Sequence, residues 1–184
     1  MARVVLVTGG CRSGKSAYAQ GLAESLPGPH VYVATCPVID EEMRRRIEAH
    51  RRGRAQSWQT IEETLALGEA IGSAAAGAAV LVDCLTLWIN NLMYQAQQQG
   101  ADVGEEQIVR HCQDVLGACR QRAGTVVLVT NEVGLGIVPD NALARRYRDL
   151  IGRANQQIAA RADRVTLVVC GIPWQLKPRL PSST

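Results

Sequence analysis

Five short runs of apolar residues are spaced along the chain, and each predicts a strand of a buried sheet. In "RVVLVT" and "AVLVDC" the apolar positions are consecutive and do not alternate with polar ones. Such continuous runs are typical of parallel strands that are covered on both faces. The predicted strands comprise residues 3–8, 30–35, 79–84, 125–132 and 164–171.

Between these runs, apolar positions recur at the spacing of amphipathic helices. The sequence "TIEE" has the form of a capping box, with Thr60 as the N-cap of a helix and Glu63 reaching back to it. A long helix is predicted after an N-cap at Asp140 or Asn141. Its buried face would be formed by Leu143, Tyr147, Leu150, Ala154 and Ile158. The other predicted helices comprise residues 15–26, 40–51, 85–98 and 105–122.

Strands that alternate with helices predict a three-layer α/β fold with a mostly parallel central sheet. The chain has 184 residues, of which 47% are hydrophobic, so one domain with a sizeable core is expected. We place this domain at residues 1–176. The tail 177–184, with the sequence "KPRLPSST", is predicted to be disordered.

The composition argues against several classes of protein. None of the six cysteines stands in a C-x-x-C pair, which disfavours a cysteine-ligated metal site and a compact disulfide framework. The apolar N-terminal run is too short for a signal peptide, and no run approaches the roughly 18 residues of a membrane helix. We therefore expect a cytoplasmic protein with reduced thiols and no membrane segment. The net charge of +3 is small for a nucleic-acid binder, so no nucleic-acid partner is expected.

A phosphate-binding motif follows the first predicted strand. The sequence "GGCRSGKS" at 9–16 matches G-x-x-x-x-G-K-[ST] and leads into a predicted helix. Its glycines allow backbone N–H groups to converge on a phosphate chain, and the helix adds its positive N-terminal end. Lys15 would reach the β- and γ-phosphates, and Ser16 would ligate Mg²⁺. Asp83 ends an apolar strand, where it is predicted to hold the metal directly or through water; the alternative is a cap of the next helix.

A basic stretch, "RRRIEAHRRGRAQSW" at 44–58, surrounds His50 with six arginines. On a helix, Arg46 and His50 would share one face, as in an ordinary solvated basic stripe. A nucleic-acid patch is a second interpretation. A site that handles phosphate with a nucleophile at its centre is the third. From these residues alone the solvated stripe is the commoner outcome; the phosphate-binding motif together with the family resemblance given next favours the third interpretation for His50 and Arg54.

Taken together, these motifs resemble the bifunctional adenosylcobinamide kinase / adenosylcobinamide-phosphate guanylyltransferases of cobalamin biosynthesis. The resemblance covers about residues 3–174. The motifs that carry it are "LVTGGCRSGKS", "YVAT", "DEEMRRRIEAHRRGR", "TNEVGLGIVP" and "ARRYRDLIGRANQQIAARAD". It implies a RecA-like P-loop NTPase fold, a homotrimer, GTP and ATP as substrates, and Mg²⁺.

The resemblance also implies roles for individual residues. His50 is the residue that becomes covalently guanylylated, and Lys15 assists phosphoryl transfer. Glu62 and Asp83 line the GTP site. Further nucleotide contacts are implied for Gly9, Gly10, Cys11, Arg12, Ser13, Gly14, Lys15, Ser16, Ala34, Thr35, Cys36, Arg51, Arg52, Gly53 and Arg54. Two positions depart from some relatives, which carry a second His at position 49 and Glu at position 83; here these are Ala49 and Asp83.

Two reactions follow from the resemblance. The γ-phosphoryl group of ATP or GTP moves to the aminopropanol hydroxyl of adenosylcobinamide. GMP then moves from GTP to the resulting phosphate through a GMP–histidine intermediate, giving adenosylcobinamide-GDP. An intermediate splits a difficult displacement between two anions into two easier steps.

Three alternatives remain open from the residues alone. They are a P-loop kinase of another small metabolite, a RecA-type nucleic-acid-dependent ATPase, and a regulatory module that binds nucleotide without turnover. A timer GTPase is disfavoured, because the guanine-reading N-K-x-D motif is absent. Glu132 is predicted either to assist proton transfer or to serve as a cap or ion-pair partner. The loop 133–139 is predicted to bind the corrinoid or to form a structural turn.

Overall fold

The computed structural model of the protein describes residues 3–37 and 57–178. Within these residues the strands are β1 (Arg3–Gly9), β2 (His30–Ala34), β3 (Trp58–Glu62), β4 (Ala79–Asp83), β5 (Thr125–Val129), β6 (Arg164–Val169) and β7 (Ile172–Lys177). The α-helices are α1 (Lys15–Glu24), α2 (Leu67–Ser73), α3 (Leu85–Gln98), α4 (Glu105–Gln121) and α5 (Ala142–Arg161), with a 3₁₀ turn at Val133–Leu135. The predicted helix 40–51 lies outside the described residues.

The strands form one sheet in the order β3-β2-β4-β5-β1-β6-β7. All neighbouring strands are parallel except β6 and β7, which are antiparallel. Parallel strands place their carboxyl ends at one edge of the sheet, which we call the carboxyl edge. The predicted α/β fold with a mostly parallel sheet is confirmed.

Buried side chains occupy both faces of the sheet, which gives the predicted three layers. One core cluster includes Ala19 and Ala23 of α1 together with Val5, Val7 and Val127. The other face is larger and is covered by α2, α3, α4 and α5. Its cluster includes Ile71, Trp88, Leu116, Ile151 and Ile158. Because both faces are covered, the strands read as continuous apolar runs in the sequence.

The capping-box prediction at 60–63 is wrong. Thr60 lies in β3, opposite Tyr32 of β2. The Glu63 carboxylate accepts hydrogen bonds from the backbone N–H groups of Leu65 at 2.7 Å and Ala66 at 2.9 Å, so it reaches forward along the chain. The Leu65 N–H is the larger cause that holds the pKa of Glu63 below its ordinary value. Pairing with β2 overrides the local helix signal, which sequence alone does not reveal.

The last predicted strand, 164–171, is too long, because its final two residues form the turn of a hairpin between β6 and β7. β6 ends at Val169, and Cys170 and Gly171 reverse the chain with positive φ angles of 53° and 79°. The chain then returns as β7, which the sequence analysis missed. Lys177, assigned to the tail, ends β7 and donates hydrogen bonds to the carbonyls of Ala159 and Ala160 at 3.2 and 3.0 Å. β7 contains Pro173 and no continuous apolar run, as is typical of an edge strand.

The long helix is confirmed, and the choice of cap is settled. The side chain of Asn141 accepts a hydrogen bond from the Ala144 N–H at 2.7 Å, so Asn141 is the N-cap. The predicted apolar face is buried at Leu150, Ala154 and Ile158, whereas Leu143 is 56% exposed. The predicted strand 125–132 ends early, at Val129.

Candidate functional site

The motif at 9–16 forms a loop at the carboxyl edge, between β1 and α1. β1 ends at Gly9, and α1 begins at Lys15. Gly14 caps this helix with φ 90° and offers no side-chain acceptor, so the first N–H groups of α1 keep their capacity to bind a ligand. Arg12 also has a positive φ, of 55°. A loop followed by an uncapped helix N-terminus is an arrangement that binds anions.

Tight packing against neighbouring backbone fixes the shape of this loop. A Cβ on Gly9 would lie 2.5 Å from the Val168 carbonyl oxygen, and one on Gly14 would lie 3.1 Å from the Gly171 Cα. The Gly171 N–H donates a hydrogen bond to the Ser13 carbonyl at 2.8 Å. The β6–β7 turn therefore packs against the loop and helps to fix its shape. The sequence motif does not predict this contact.

Two polar side chains of the loop have distinct environments. The Lys15 ammonium group donates a hydrogen bond to the Gly10 carbonyl at 3.2 Å, which folds its side chain back over the loop. Ser13 is buried, and its Oγ has no hydrogen-bond partner among the described residues. A buried hydroxyl without a partner is costly unless a ligand or water satisfies it. The Ser13 hydroxyl is therefore a donor of the loop that the described residues leave unused.

Three of the predicted nucleotide residues form a row along the carboxyl edge. Ala34 of β2 is paired in register with Glu62 of β3 on one side and with Asp83 of β4 on the other. Adjacent strands lie about 4.8 Å apart, so the Cα atoms of Glu62 and Asp83 are separated by about 10 Å across Ala34. Glu62 is exposed and Asp83 is half-buried, and the Tyr32 hydroxyl donates to Asp83 at 3.4 Å.

Thr35 ties this row together. It is fully buried, and its Oγ1 both donates to the Cys84 carbonyl at 2.8 Å and accepts from the Cys84 N–H at 2.7 Å. The Asn91 side chain adds hydrogen bonds to the carbonyls of Thr35 at 2.8 Å and Thr64 at 3.2 Å. The hydroxyl of Thr35 is therefore occupied by the protein itself, while Cys36 beside it is half-buried.

Burial controls the ionisation of two groups next to the row. Desolvation raises the pKa of the Cys84 thiol, and the charge of Asp83 adds to that effect. Burial also raises the pKa of the Tyr147 phenol to about 12, and its hydroxyl donates to the Thr86 carbonyl at 3.2 Å. Both groups are therefore neutral at physiological pH and serve the packing of the edge.

The structure brings Glu132 to the P-loop, a placement that the sequence analysis left open. Its N–H donates a hydrogen bond to the Gly9 carbonyl at 3.2 Å, and its carboxylate accepts one from the Thr8 hydroxyl at 2.6 Å. No salt bridge to Glu132 is found among the described residues. The remaining predicted residues, His50, Arg51, Arg52, Gly53 and Arg54, lie outside the described residues.

Metal binding at the carboxyl edge would need ligands in addition to protein side chains. Within residues 3–37 and 57–178, no cluster of three or more His, Cys, Asp or Glu side chains exists that would hold a metal by itself. Mg²⁺ is commonly bound by one or two protein groups, with phosphate and water completing its shell. One hydroxyl (Ser16) and one carboxylate (Asp83) are a donor set of this kind.

No helix in the described part of the chain is both long and apolar enough to span a bilayer.

Comparison with known proteins gives consistent matches over the whole chain. Residues 5–176 match the family described as cobinamide kinase / cobinamide phosphate guanyltransferase. The bifunctional adenosylcobalamin biosynthesis protein CobU of Escherichia coli (strain K12) is 41% identical over 181 residues, covering 95% of this chain and 99% of that protein. The corresponding protein CobP of Pseudomonas aeruginosa is 46% identical over 173 residues, covering 94% and 96%.

A solved structure supports the fold alone. It is that of a prototypical ATPase from the type III secretion system of pathogenic bacteria, with a TM-score of 0.60 and 10% sequence identity. The match covers 94% of this chain and 56% of the ATPase chain. The predicted RecA-like α/β architecture is confirmed by this likeness.

Proposed function

The chain belongs to the cobinamide kinase / cobinamide phosphate guanyltransferase family. We propose that one P-loop serves both the kinase and the guanylyl reaction, and that His50 carries GMP from GTP to cobinamide phosphate. The two activities are those of the family: phosphorylation of cobinamide and transfer of a guanylyl group to cobinamide phosphate in adenosylcobalamin biosynthesis. The observation that carries the proposal is the loop 9–16, whose glycines and uncapped helix N-terminus form an anion-binding cradle.

In the kinase reaction, the γ-phosphoryl group of ATP or GTP moves to the hydroxyl of adenosylcobinamide. The N–H groups at the start of α1 bind the phosphate chain. Lys15 leaves its contact with the Gly10 carbonyl and neutralises charge that develops on the β- and γ-oxygens. Phosphoryl transfer depends mainly on such positioning and charge stabilisation.

Mg²⁺ fits the residues that are present. Ser16 and Asp83 would hold it, with phosphate oxygens and water as the other ligands. When bound, the ion supplies positive charge to the phosphate oxygens. The hydrogen bond that the Asp83 carboxylate accepts from the Tyr32 hydroxyl is long, at 3.4 Å, so the carboxylate keeps acceptor capacity for the ion.

In the guanylyl reaction, His50 attacks the α-phosphate of GTP and pyrophosphate leaves. The phosphate of adenosylcobinamide phosphate then displaces His50, which gives adenosylcobinamide-GDP. A neutral imidazole meets no charge repulsion from the phosphates, and the arginines that follow it in sequence favour this neutral form. The same arginines would stabilise negative charge on the group in transfer.

The nucleoside would lie along the row beyond the P-loop. Ala34, Glu62 and Asp83 share one register level at the carboxyl edge, and Cys36 is half-buried next to them. Arg51, Arg52, Gly53 and Arg54 are included in the proposal on the resemblance alone. So are a homotrimeric assembly and a cytoplasmic location. None of the six cysteines, all of which lie in the described residues, forms a disulfide, and this supports a reducing compartment.

Two variants separate the roles proposed for Lys15 and His50. Phosphorylation would be followed with cobinamide and ATP, and guanylyl transfer with cobinamide phosphate and GTP. Lys15→Ala is expected to lose both reactions, whereas His50→Ala is expected to lose guanylyl transfer and keep phosphorylation. His111→Gln serves as the matched control, because His111 lies on α4 against the Trp88 ring and is not among the residues proposed to bind nucleotide. Guanylyl transfer by His50→Ala at the wild-type rate would contradict the proposal.

A further inference from the structure

Glu132 lies between the two parts of the site that handle phosphate. β5 separates β4, which ends at Asp83, from β1, which leads into the P-loop. Beyond the end of β5 the backbone continues alongside β1. The Thr130 N–H donates to the Val7 carbonyl at 3.0 Å, and the Glu132 N–H donates to the Gly9 carbonyl at 3.2 Å. Glu132 is therefore fixed beside the first residue of the loop.

A network of hydrogen bonds orients the carboxylate. Oε1 accepts from the Thr8 hydroxyl at 2.6 Å and, more weakly, from the Asn155 amide at 3.4 Å. Asn155 is held in turn, since it accepts from the Thr130 hydroxyl at 2.7 Å and donates to the Asn131 carbonyl at 3.0 Å. Among the described residues no hydrogen bond is made to Oε2. One carboxylate oxygen is thus anchored, and the other keeps its capacity to accept a proton.

The two reactions differ in what they demand of a base. The acceptor in phosphorylation is an alcohol, whose oxygen must lose a proton as it bonds to phosphorus. The acceptor in guanylyl transfer is a phosphate, which is already ionised near neutral pH. A general base beside the P-loop is therefore useful to the first reaction and unnecessary to the second.

We infer that Glu132 is the general base of the kinase reaction; the inference rests on the proposed use of the P-loop for that reaction. As the substrate oxygen forms its bond to the γ-phosphorus, the hydroxyl proton passes to Glu132. The bond between the γ-phosphorus and the bridging oxygen breaks, and its electron pair leaves with the nucleoside diphosphate. Kinases of other folds use an Asp for this task.

Other carboxylates at the carboxyl edge are less suited to this role. Strands are spaced about 4.8 Å apart, so Glu62 on β3 lies about 19 Å across the sheet from the P-loop strand. Asp83 is two strands away and is proposed to hold the metal. Glu132 differs from both because its backbone is hydrogen-bonded to the loop itself.

The test compares both reactions in the full-length enzyme. Glu132→Gln keeps an oxygen that accepts from Thr8 but removes the base, so it is expected to lower kcat for cobinamide phosphorylation roughly 100-fold or more. Guanylyl transfer to cobinamide phosphate is expected to stay unchanged. Glu132→Asp restores a carboxylate and is expected to recover part of the phosphorylation rate.

Thr130→Val provides the structural control, because it breaks the same network through Asn155 and leaves the carboxylate in place. It is expected to show no selective loss of phosphorylation. An equal loss of both reactions in Glu132→Gln would indicate a structural role and overturn the inference, as would full phosphorylation activity. A wild-type enzyme that transfers GMP but never phosphorylates cobinamide would overturn the kinase assignment and the base together. A wild type active in both reactions with an unaffected Glu132→Gln would overturn the role of Glu132 alone.

Discussion

The two ends of the carboxyl edge are built in different ways. At the phosphate end, backbone packs against backbone: Gly9 meets the Val168 carbonyl, and Gly14 meets Gly171. At the other end, side chains join separate segments, as when Thr35 binds both backbone groups of Cys84. Main-chain geometry must stay constant to bind phosphate, whereas the second end depends on side chains that meet only in the folded protein. We call these the phosphate end and the strand-end row.

Gly14→Val should break the phosphate end most severely. Valine is poorly compatible with φ 90°, and its Cβ would lie 3.1 Å from the Gly171 Cα. We expect both reactions to fall roughly 100-fold or more, because donors that stabilise phosphate charge are misplaced. Parallel assays of phosphorylation and guanylyl transfer would measure this.

The matched control is Gly21→Ala on the same helix. Its added Cβ meets no atom within 4 Å, and alanine favours the helix. Its activity should equal that of wild type. A Gly14→Val enzyme as active as this control would show that the loop tolerates a change of backbone conformation.

Thr35→Val should disrupt the strand-end row, and we expect the disruption to lower the free energy of unfolding. The substitution conserves shape but leaves the buried Cys84 N–H without its partner, while the Cys84 carbonyl keeps only the hydrogen bond from the Trp88 N–H at 3.2 Å. The expected loss is about 2 kcal/mol of unfolding free energy, measured by urea denaturation.

Thr166→Val tests the cause of that loss. Thr166 is equally buried, but its hydroxyl has no hydrogen-bond partner among the described residues. The same change is therefore expected to be neutral or stabilising there. Equal destabilisation by both substitutions would mean that packing, and not the hydrogen bonds of Thr35, holds the row.

Thiol labelling distinguishes the two ends without mutation. Cys11, in the P-loop, is exposed, so it should react readily and be protected by bound nucleotide. Burial raises the pKa of Cys112 and of Cys119 to about 12, so neither should react in the native protein. Mass spectrometry of peptides after brief alkylation would measure each site. Nucleotide that leaves Cys11 labelling unchanged would argue against binding at this loop.

The smallest expected effect concerns pH and the turn after β3. Backbone N–H groups, that of Leu65 first, lower the folded-state pKa of Glu63 below its ordinary value of 4.5. The stability that Glu63 adds is therefore present above pH 4.5 and is lost as pH falls through the folded-state pKa. Melting temperatures of Glu63→Gln and wild type should differ at neutral pH and converge in acid. Parallel curves at every pH would contradict this.

The same contrast explains what the sequence could reveal. The P-loop was predictable because its glycines, lysine and serine are consecutive, and their function is set by local geometry. The parallel sheet was predictable from its continuous apolar strands. Asp83 was predicted to lie at the carboxyl edge because it follows such an apolar run, and it does end β4.

What escaped prediction depends on contacts between distant segments. β3 and β7 are edge strands, and each is defined by its partner strand more than by its own sequence. The hydrogen bond from the Thr8 hydroxyl to the Glu132 carboxylate joins residues that are 124 positions apart in the sequence. The buried use of Thr35 likewise requires Cys84 to be in place, so neither role has a local signature.

The central claim is that GMP is held covalently on His50 during transfer. The most direct measurement is to incubate the protein with Mg²⁺ and GTP labelled at the α-phosphate, without cobinamide, and to map the label to a peptide after denaturation. We expect an acid-labile, alkali-stable label on His50 that is absent when the label is on the γ-phosphate. A stable label on another residue, or none while guanylyl transfer proceeds, would contradict it.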